Sequence, residues 1–152
     1  MIARYAAEHT DVAADLVVRT HALRDLLYQV LAPIGSGGEP APEVLEQLNR
    51  AWRSVALQRR LVPVEGGFHW GWRDVEGSEA PLERVVWPVI HSAAEVLTAP
   101  EVRRLRRCKA DDCGWLFIDA SRNRSRRWCD MNDCGNRAKV RRFRARRRTA
   151  SA

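Results

Sequence analysis

The residues with the clearest chemistry are four cysteines, Cys108, Cys113, Cys129 and Cys134, spaced as Cys-x4-Cys, fifteen residues, and Cys-x4-Cys. Two short loops that each supply a ligand pair are how a short chain assembles a tetrahedral zinc site. The loops share the pattern Cys-x3-Asp-Cys-Gly, as Cys108 to Gly114 and Cys129 to Gly135. Gly114 and Gly135 are expected to relieve crowding so that backbone amides turn toward the sulfurs. Four sulfur ligands leave no open position for water, so the expected cofactor is one structural Zn2+. The same residues admit two disulfides, unrelated free thiols or an iron–sulfur cluster. The paired spacing and an expected reducing compartment favour zinc.

The elements that must hold these sulfurs can be read around them. Trp115–Asp119 reads as a strand and Arg126–Cys129 as its partner, with Ser121–Ser125 at the tip. After Gly135 there is no proline or further glycine, so a helix is expected to start at the last ligand. The expectation is a ββα finger of treble-clef character. On its helix Val140 and Phe143 are the large apolar residues, and they are expected to dock near Trp115 or Trp128. Arg137, Arg141, Arg144 and Arg148 flank that stripe on one side, and Lys139, Arg142 and Arg146 on the other. Such density repels itself, and a phosphate backbone would relieve it with counterion release. Arg122, Arg124, Arg126 and Arg127 at the tip can extend the surface. The competing reading is that these arginines complement the helix dipole and improve solubility.

Charge is distributed unevenly. The 152 residues carry a net +7 and a pI near 10.0. Residues 1–100 hold 9 Arg against 13 acids, a net −4, whereas 101–152 hold 17 Lys or Arg against 6 acids, a net +11. An acidic body with a basic head suits a nucleic-acid-binding module, with DNA as the expected partner and RNA or an acidic protein as alternatives. No stretch approaches the length of apolar sequence that a membrane span requires, and the start carries early acids rather than a signal-peptide pattern. The expected location is the cytoplasm.

Residues 1–99 read as a small α+β domain. Leu16, Thr20, Leu23, Leu27, Val30 and Ile34 give an amphipathic helix over about Thr10–Ala32, ended by Pro33 and Gly35-Ser36-Gly37-Gly38. A second helix begins near Pro42, with Leu45, Leu48, Trp52 and Val55 as its apolar face. Leu61–Val64 and Phe68–Trp72 form a hairpin turning at Gly66-Gly67, with Pro63 arguing for an edge position. Leu82, Val86, Val89, Ala93 and Val96 mark a third helix over roughly Pro81–Thr98, kinked or split at Pro88. Phe68, Trp70 and Trp72 alternate onto one strand face. They read as domain core, or as the lining of a pocket for a small-molecule effector, which would make 1–99 a sensor. Of His9, His21, His69 and His91, only His69 draws notice, pointing away from those aromatics. There is no Ser/His/Asp set, HExxH or phosphate loop, so no enzyme is expected.

The motif Cys134-Gly135-Asn136-Arg137, with Cys113-Gly-Trp-Leu-Phe117 and Ser121-Arg-Asn-Arg-Ser-Arg-Arg-Trp-Cys129, resembles the CGNR zinc finger family. Leu23–Leu27, the Gly66–Trp72 hairpin, Trp87-Pro-Val and Ser92–Leu97 resemble the ABATE domain that accompanies this finger. The resemblance implies a bacterial, stress-induced transcriptional regulator, with an ABATE-like domain over 1–99 and a DNA-binding finger over 100–152. It assigns the zinc to the four cysteines. Family members usually begin with a further segment carrying a Phe-x-Asn-Thr-like strand. No counterpart precedes the first helix here, so a truncated or diverged start is expected. The oligomeric expectation is a homodimer through the N-terminal part. The alternative to DNA binding is a zinc-dependent protein-interaction module using the basic tail.

Overall fold

A computed structural model describes residues 7–73 and 83–150; of Glu83 and residues 148–150 it describes the backbone alone. The chain divides into two compact units, one of 1–30 and 41–99 and the other of 31–40 and 100–152.

Helix α1 (Thr10–Gly35) runs through Pro33 rather than ending before it. Pro33 removes one i→i−4 bond and crowds the preceding turn, yet the helix continues two residues beyond it. The stop comes from glycine instead. Gly37, at φ 90°, donates to the Ile34 carbonyl at 3.0 Å, and Gly38 donates to that of Pro33 at 2.9 Å. This is a Schellman closure, which a left-handed glycine permits without Cβ strain. Along α1, Val30 is fully buried, whereas Thr20 of the expected stripe is exposed.

In the first unit, α2 (Pro42–Ala56) starts at its proline as expected, and buries Leu48 and Val55. Strands β1 (Arg59–Val64) and β2 (Gly67–Trp72) pair antiparallel, from Arg59 opposite Trp72 to Val64 opposite Gly67. That register leaves Glu65-Gly66 as a two-residue turn, with Gly66 at φ 81°. The hairpin is a two-stranded sheet, so Pro63 sits on an edge strand.

The third helix is split, as Pro88 predicts. A single 3-10 turn (Glu83–Val85) precedes α3 (Trp87–Thr98), and Pro88 occupies the first turn, where its missing N–H is harmless. The expected residues Pro81 and Leu82 lie outside the described residues. The buried face keeps Ala93 of the expected stripe, and Val86 packs on the core, but the rest of it differs. Trp87, Ile90 and Ala93 are buried, while Val89 and Val96 are exposed. An indole removes more apolar area from water than a valine does, so the face that contains Trp87 turns inward. Val55, Trp87 and Ile90 form the core, with Leu23, Trp52, Trp72 and Val86 packed on it.

In the second unit a 3-10 segment (Pro100–Arg104) leads into β3 (Leu105–Arg107), which pairs antiparallel with β4 (Leu116–Ile118). The pairing of β4 with Arg126–Cys129 expected from the sequence does not form. A one-turn π-helix (Met131–Gly135) then opens α4 (Asn136–Ala150). The ββα order and the α+β class stand as expected.

Gly35, the last residue of α1, belongs to this second unit. A Cβ there would lie 3.0 Å from the Arg107 amide nitrogen, 3.1 Å from the Arg106 carbonyl carbon and 3.2 Å from Leu116. Its lack of a side chain therefore allows β3 to approach, a role separate from stopping the helix.

Replacing Trp87 with alanine should cost the first unit about 3–5 kcal/mol through lost burial and a residual cavity. Urea unfolding of the full-length protein would show the shifted midpoint. A shift like that of a surface substitution would contradict Trp87's place in the core.

Candidate metal centre and basic surface

The site is built from backbone restraints on two knuckles. After β3, the Cys108 amide donates to the Trp115 carbonyl at 2.9 Å and that of Cys113 to Ala110 at 3.1 Å, folding the first knuckle. The Lys109 amide donates to the Arg127 carbonyl at 3.0 Å, tying this knuckle to the segment that enters the second. There Asp130 caps the π-turn, accepting from the amides of Asn132 at 2.6 Å and Asp133 at 3.1 Å. The Gly135 amide donates to the Asp130 carbonyl at 3.0 Å. Its own amide therefore closes the turn rather than facing a sulfur. Gly135 serves by its size, since a Cβ would meet Met131 and Trp128 atoms at 3.1 Å. The amides that do donate to the Cys108 sulfur are those of Ala110 and Cys129.

The four Sγ atoms all lie within 4.8 Å of one another. Cys113 and Cys129 are 3.7 Å apart, and Cys129 and Cys134 3.6 Å. Tetrahedral zinc with Zn–S bonds of about 2.3 Å requires sulfur separations of about 3.8 Å. The donor set therefore fits one structural Zn2+. Cys108 and Cys134 are buried, and Cys113 and Cys129 half-buried, with Phe117 and Trp128 packed on the cluster. Burial pushes the Cys108 thiol up, but the Ala110 and Cys129 amides and the neighbouring thiols outweigh it and bring it to about 7. Cys129 is pushed up to about 12, by burial first and then by the sulfurs of Cys134, Cys113 and Cys108. Without a cation, then, the sulfurs do not ionise together; zinc resolves that conflict by replacing the protons.

Beside the sulfurs, Arg137 donates to Cys134 Sγ at 3.2 Å and lies 3.3 Å from both Asp112 and Asp133. Arg141, one turn on, lies 3.6 Å from Asp112 and 4.0 Å from Asp111. Arg126 stacks over Phe117 at 4.8 Å and donates to the carbonyls of Trp128 and Cys129. Three of the expected nucleic-acid contacts thus engage the finger itself. Arg127 lies over the Trp128 ring at 5.4 Å. Arg122, Arg124, Lys139, Arg142, Arg144 and Arg146 are exposed, and the side chain of Arg148 lies outside the described residues.

Val140 and Phe143 do not dock on the finger as expected. They are exposed, as is Trp115, and Arg147 lies over the Phe143 ring. Of the large aromatics, Phe117 and Trp128 pack on the cysteine cluster instead. In the other unit, Trp72 packs against Trp87, Trp70 lines a hollow and Phe68 is exposed.

Asp119, expected only as the end of a strand, organises the tip. Its side chain is fully buried and accepts from the Ser121 amide at 2.9 Å, the Ser121 hydroxyl at 2.6 Å and the Arg126 amide at 3.0 Å. The Arg126 amide is thereby withdrawn from strand pairing, which explains why 126–129 forms no ladder with β4. Asp119-Ala-Ser121 after a strand is the sequence signal of such an Asx-turn.

Two outcomes are expected. Replacing Cys129 or Cys134 with serine, or removing zinc with a chelator, should unfold the finger, since structural zinc contributes on the order of 10 kcal/mol. Metal analysis should fall from one zinc per chain, with loss of helical circular dichroism from α4; full zinc content in both variants would contradict the assignment. The Ser121 hydroxyl foremost, then the Ser121 and Arg126 amides and the Arg106 charge, hold the Asp119 carboxyl below its ordinary value against the effect of burial. A lowered carboxylate contributes stability above its unfolded value of about 3.9 and loses it only as pH falls through the folded value. Asp119→Asn should therefore destabilise the finger by an amount constant between about pH 6 and 8. A gap that narrows across that interval would show that Asp119 is not the ionised acceptor.

Comparison with known families fits this geometry. Residues 104–147 match the CGNR zinc finger, whose name-giving residues here are a ligand, a glycine that makes room, Asn136 at the helix start and the arginine clamp. Residues 3–100 match ABATE, described as "putative stress-induced transcription regulator". No curated protein matches the chain. Both families are of regulator or zinc-finger type, and among the described residues no helix is long and apolar enough to cross a membrane. With the ABATE match covering well over half of its length and the zinc finger most of the remainder, the chain belongs to the ABATE family and ends in a CGNR zinc finger.

Proposed function

We propose that the protein is a DNA-binding transcription regulator acting in the bacterial cytoplasm, with the zinc finger presenting α4 to the duplex. The observation that carries this reading is the division of the finger's cations. Arg137 and Arg141 are matched by Asp111, Asp112 and Asp133, whereas Lys139, Arg142 and Arg144 on α4 have no acid partner among the described residues. Arg122 and Arg124 at the tip have none either. A helix carrying cations that its own protein does not neutralise gains from a phosphate backbone and the counterions it releases. An α-helix also fits the major groove of B-DNA. The residues before the finger would then serve sensing or dimerisation.

The test uses the full-length, zinc-loaded protein with random duplex DNA across a salt series, and single-stranded RNA in parallel. Log affinity for DNA should fall linearly with log salt. Replacing Arg142 and Arg144 together by alanine should weaken binding on every sequence and lower the slope by about 2. Arg141→Ala should lower it less, because that guanidinium already faces acids. An unchanged slope in the double variant would remove α4 from the interface. Absence of DNA binding at low salt would turn the search to an acidic protein partner, and preference for the single strand to RNA.

A further inference from the structure

The first unit contains a hollow of about 360 Å³, lined by Trp52, Ala56, Arg59, Trp70, His91 and Glu95. That volume lies at the lower end of small-molecule sites, which run from about 300 to 1,000 Å³. Its walls are held in place by ring packing. The His91 ring stacks on Trp52 with centroids 5.4 Å apart and planes 17° apart, and meets Trp72 edge-on at 5.8 Å. Trp72 in turn packs on Trp87 in the core. One wall is thus continuous with the best-buried part of the unit.

Arg59 gives the hollow its chemistry. Its guanidinium lies over two indoles, 5.3 Å from the Trp70 centroid and 4.7 Å from that of Trp72, and it forms no ion pair among the described residues. Stacking engages the face of a guanidinium and leaves its N–H donors, which lie in its plane, available to a planar acceptor. Trp70 remains 60% exposed, a large indole surface that the unit's own described residues do not cover. A cationic ligand is disfavoured, because Arg59 already places a positive charge over one face of each of the Trp70 and Trp72 rings, leaving the exposed remainder of Trp70 for an uncharged ring. Glu95 narrows the choice further. Its carboxylate sits at the lining, 3.4 Å from His91 Nε2, where it repels a second negative charge on a ligand.

We infer that this hollow binds a small aromatic monocarboxylate, with its carboxylate on Arg59 and its ring against the Trp52 and Trp70 walls. The inference does not depend on whether the finger binds nucleic acid. Phe68, expected from the sequence to share this role, does not line the hollow; His91 and Arg59 do.

The probes are benzoate and indole-3-carboxylate, with benzyl alcohol and indole as neutral counterparts and phthalate as the dianion. They are titrated into the full-length, zinc-loaded protein by calorimetry and by NMR of the indole N–H signals. At least one carboxylate should bind saturably and move the Trp52 and Trp70 signals, while its neutral counterpart and phthalate bind at least about tenfold more weakly, as loss of a charge-assisted pair implies. Arg59→Gln should bring the carboxylate down to the level of its neutral counterpart, with zinc content and helical circular dichroism unchanged. Glu95→Gln should improve phthalate binding, a gain that misfolding does not produce. Failure of both carboxylates to saturate, equal binding of acid and neutral probe, or undiminished binding to Arg59→Gln would each overturn the inference.

Discussion

Four sulfur atoms within 4.8 Å of one another form a chemical conflict as well as a site. Each must be anionic to bind metal, yet once one sulfur has ionised it raises the cost of ionising the next. Only a cation at the centre removes that cost, and the surrounding chain is arranged to supply what the cation does not. Amides of Ala110 and Cys129 and the Arg137 guanidinium point at sulfur, while Asp130 and Asp119 fix the loops on either side of Cys129. A segment this short buries few apolar residues, so the metal and these polar contacts take the part that a hydrophobic core takes in the first unit.

The same arrangement sorts the arginines by task. A count of positive charge treats α4 and the tip as one basic surface. Geometry separates Arg126, which is used on local carbonyls and a ring, from Arg137 and Arg141, which hold the knuckles through acids. Exposed ion pairs of this kind contribute little stability singly. Their larger effect is directional, because they turn two of the helix's cations toward the knuckles and leave others facing water.

Much of this was legible in the sequence, for reasons particular to each element. Cysteine pairs with short spacing declare themselves because their geometry is local, and the same holds for Pro42 opening α2, Pro88 dividing the third helix and Gly66 turning the hairpin. What escaped depended on partners distant in sequence or on competition between interactions. The partner of β4 lies upstream across the first knuckle, and nothing in Leu105–Arg107 marks it as a strand. The buried face of α3 followed one indole rather than a run of valines. Val140 and Phe143 carry helical spacing but find no core, because Phe117 and Trp128 already pack on the cysteines. Nothing adjacent in sequence distinguishes His91 from the other histidines, since only the fold brings it against Trp52 and Trp72.

The close passage of β3 over Gly35 bears on how this protein can be divided. A proteolytic or recombinant piece that begins near Pro100 keeps every zinc ligand and the whole basic helix, yet it leaves behind the glycine turn against which Arg106, Arg107 and Leu116 rest. Such a piece would bind metal with one flank of its small sheet bared to solvent and open to self-association. Folding of the finger is in that sense a long-range event. Its first neighbour is synthesised well before its first cysteine, and a ribosome-bound chain would hold that surface uncovered until the last third of the sequence emerged.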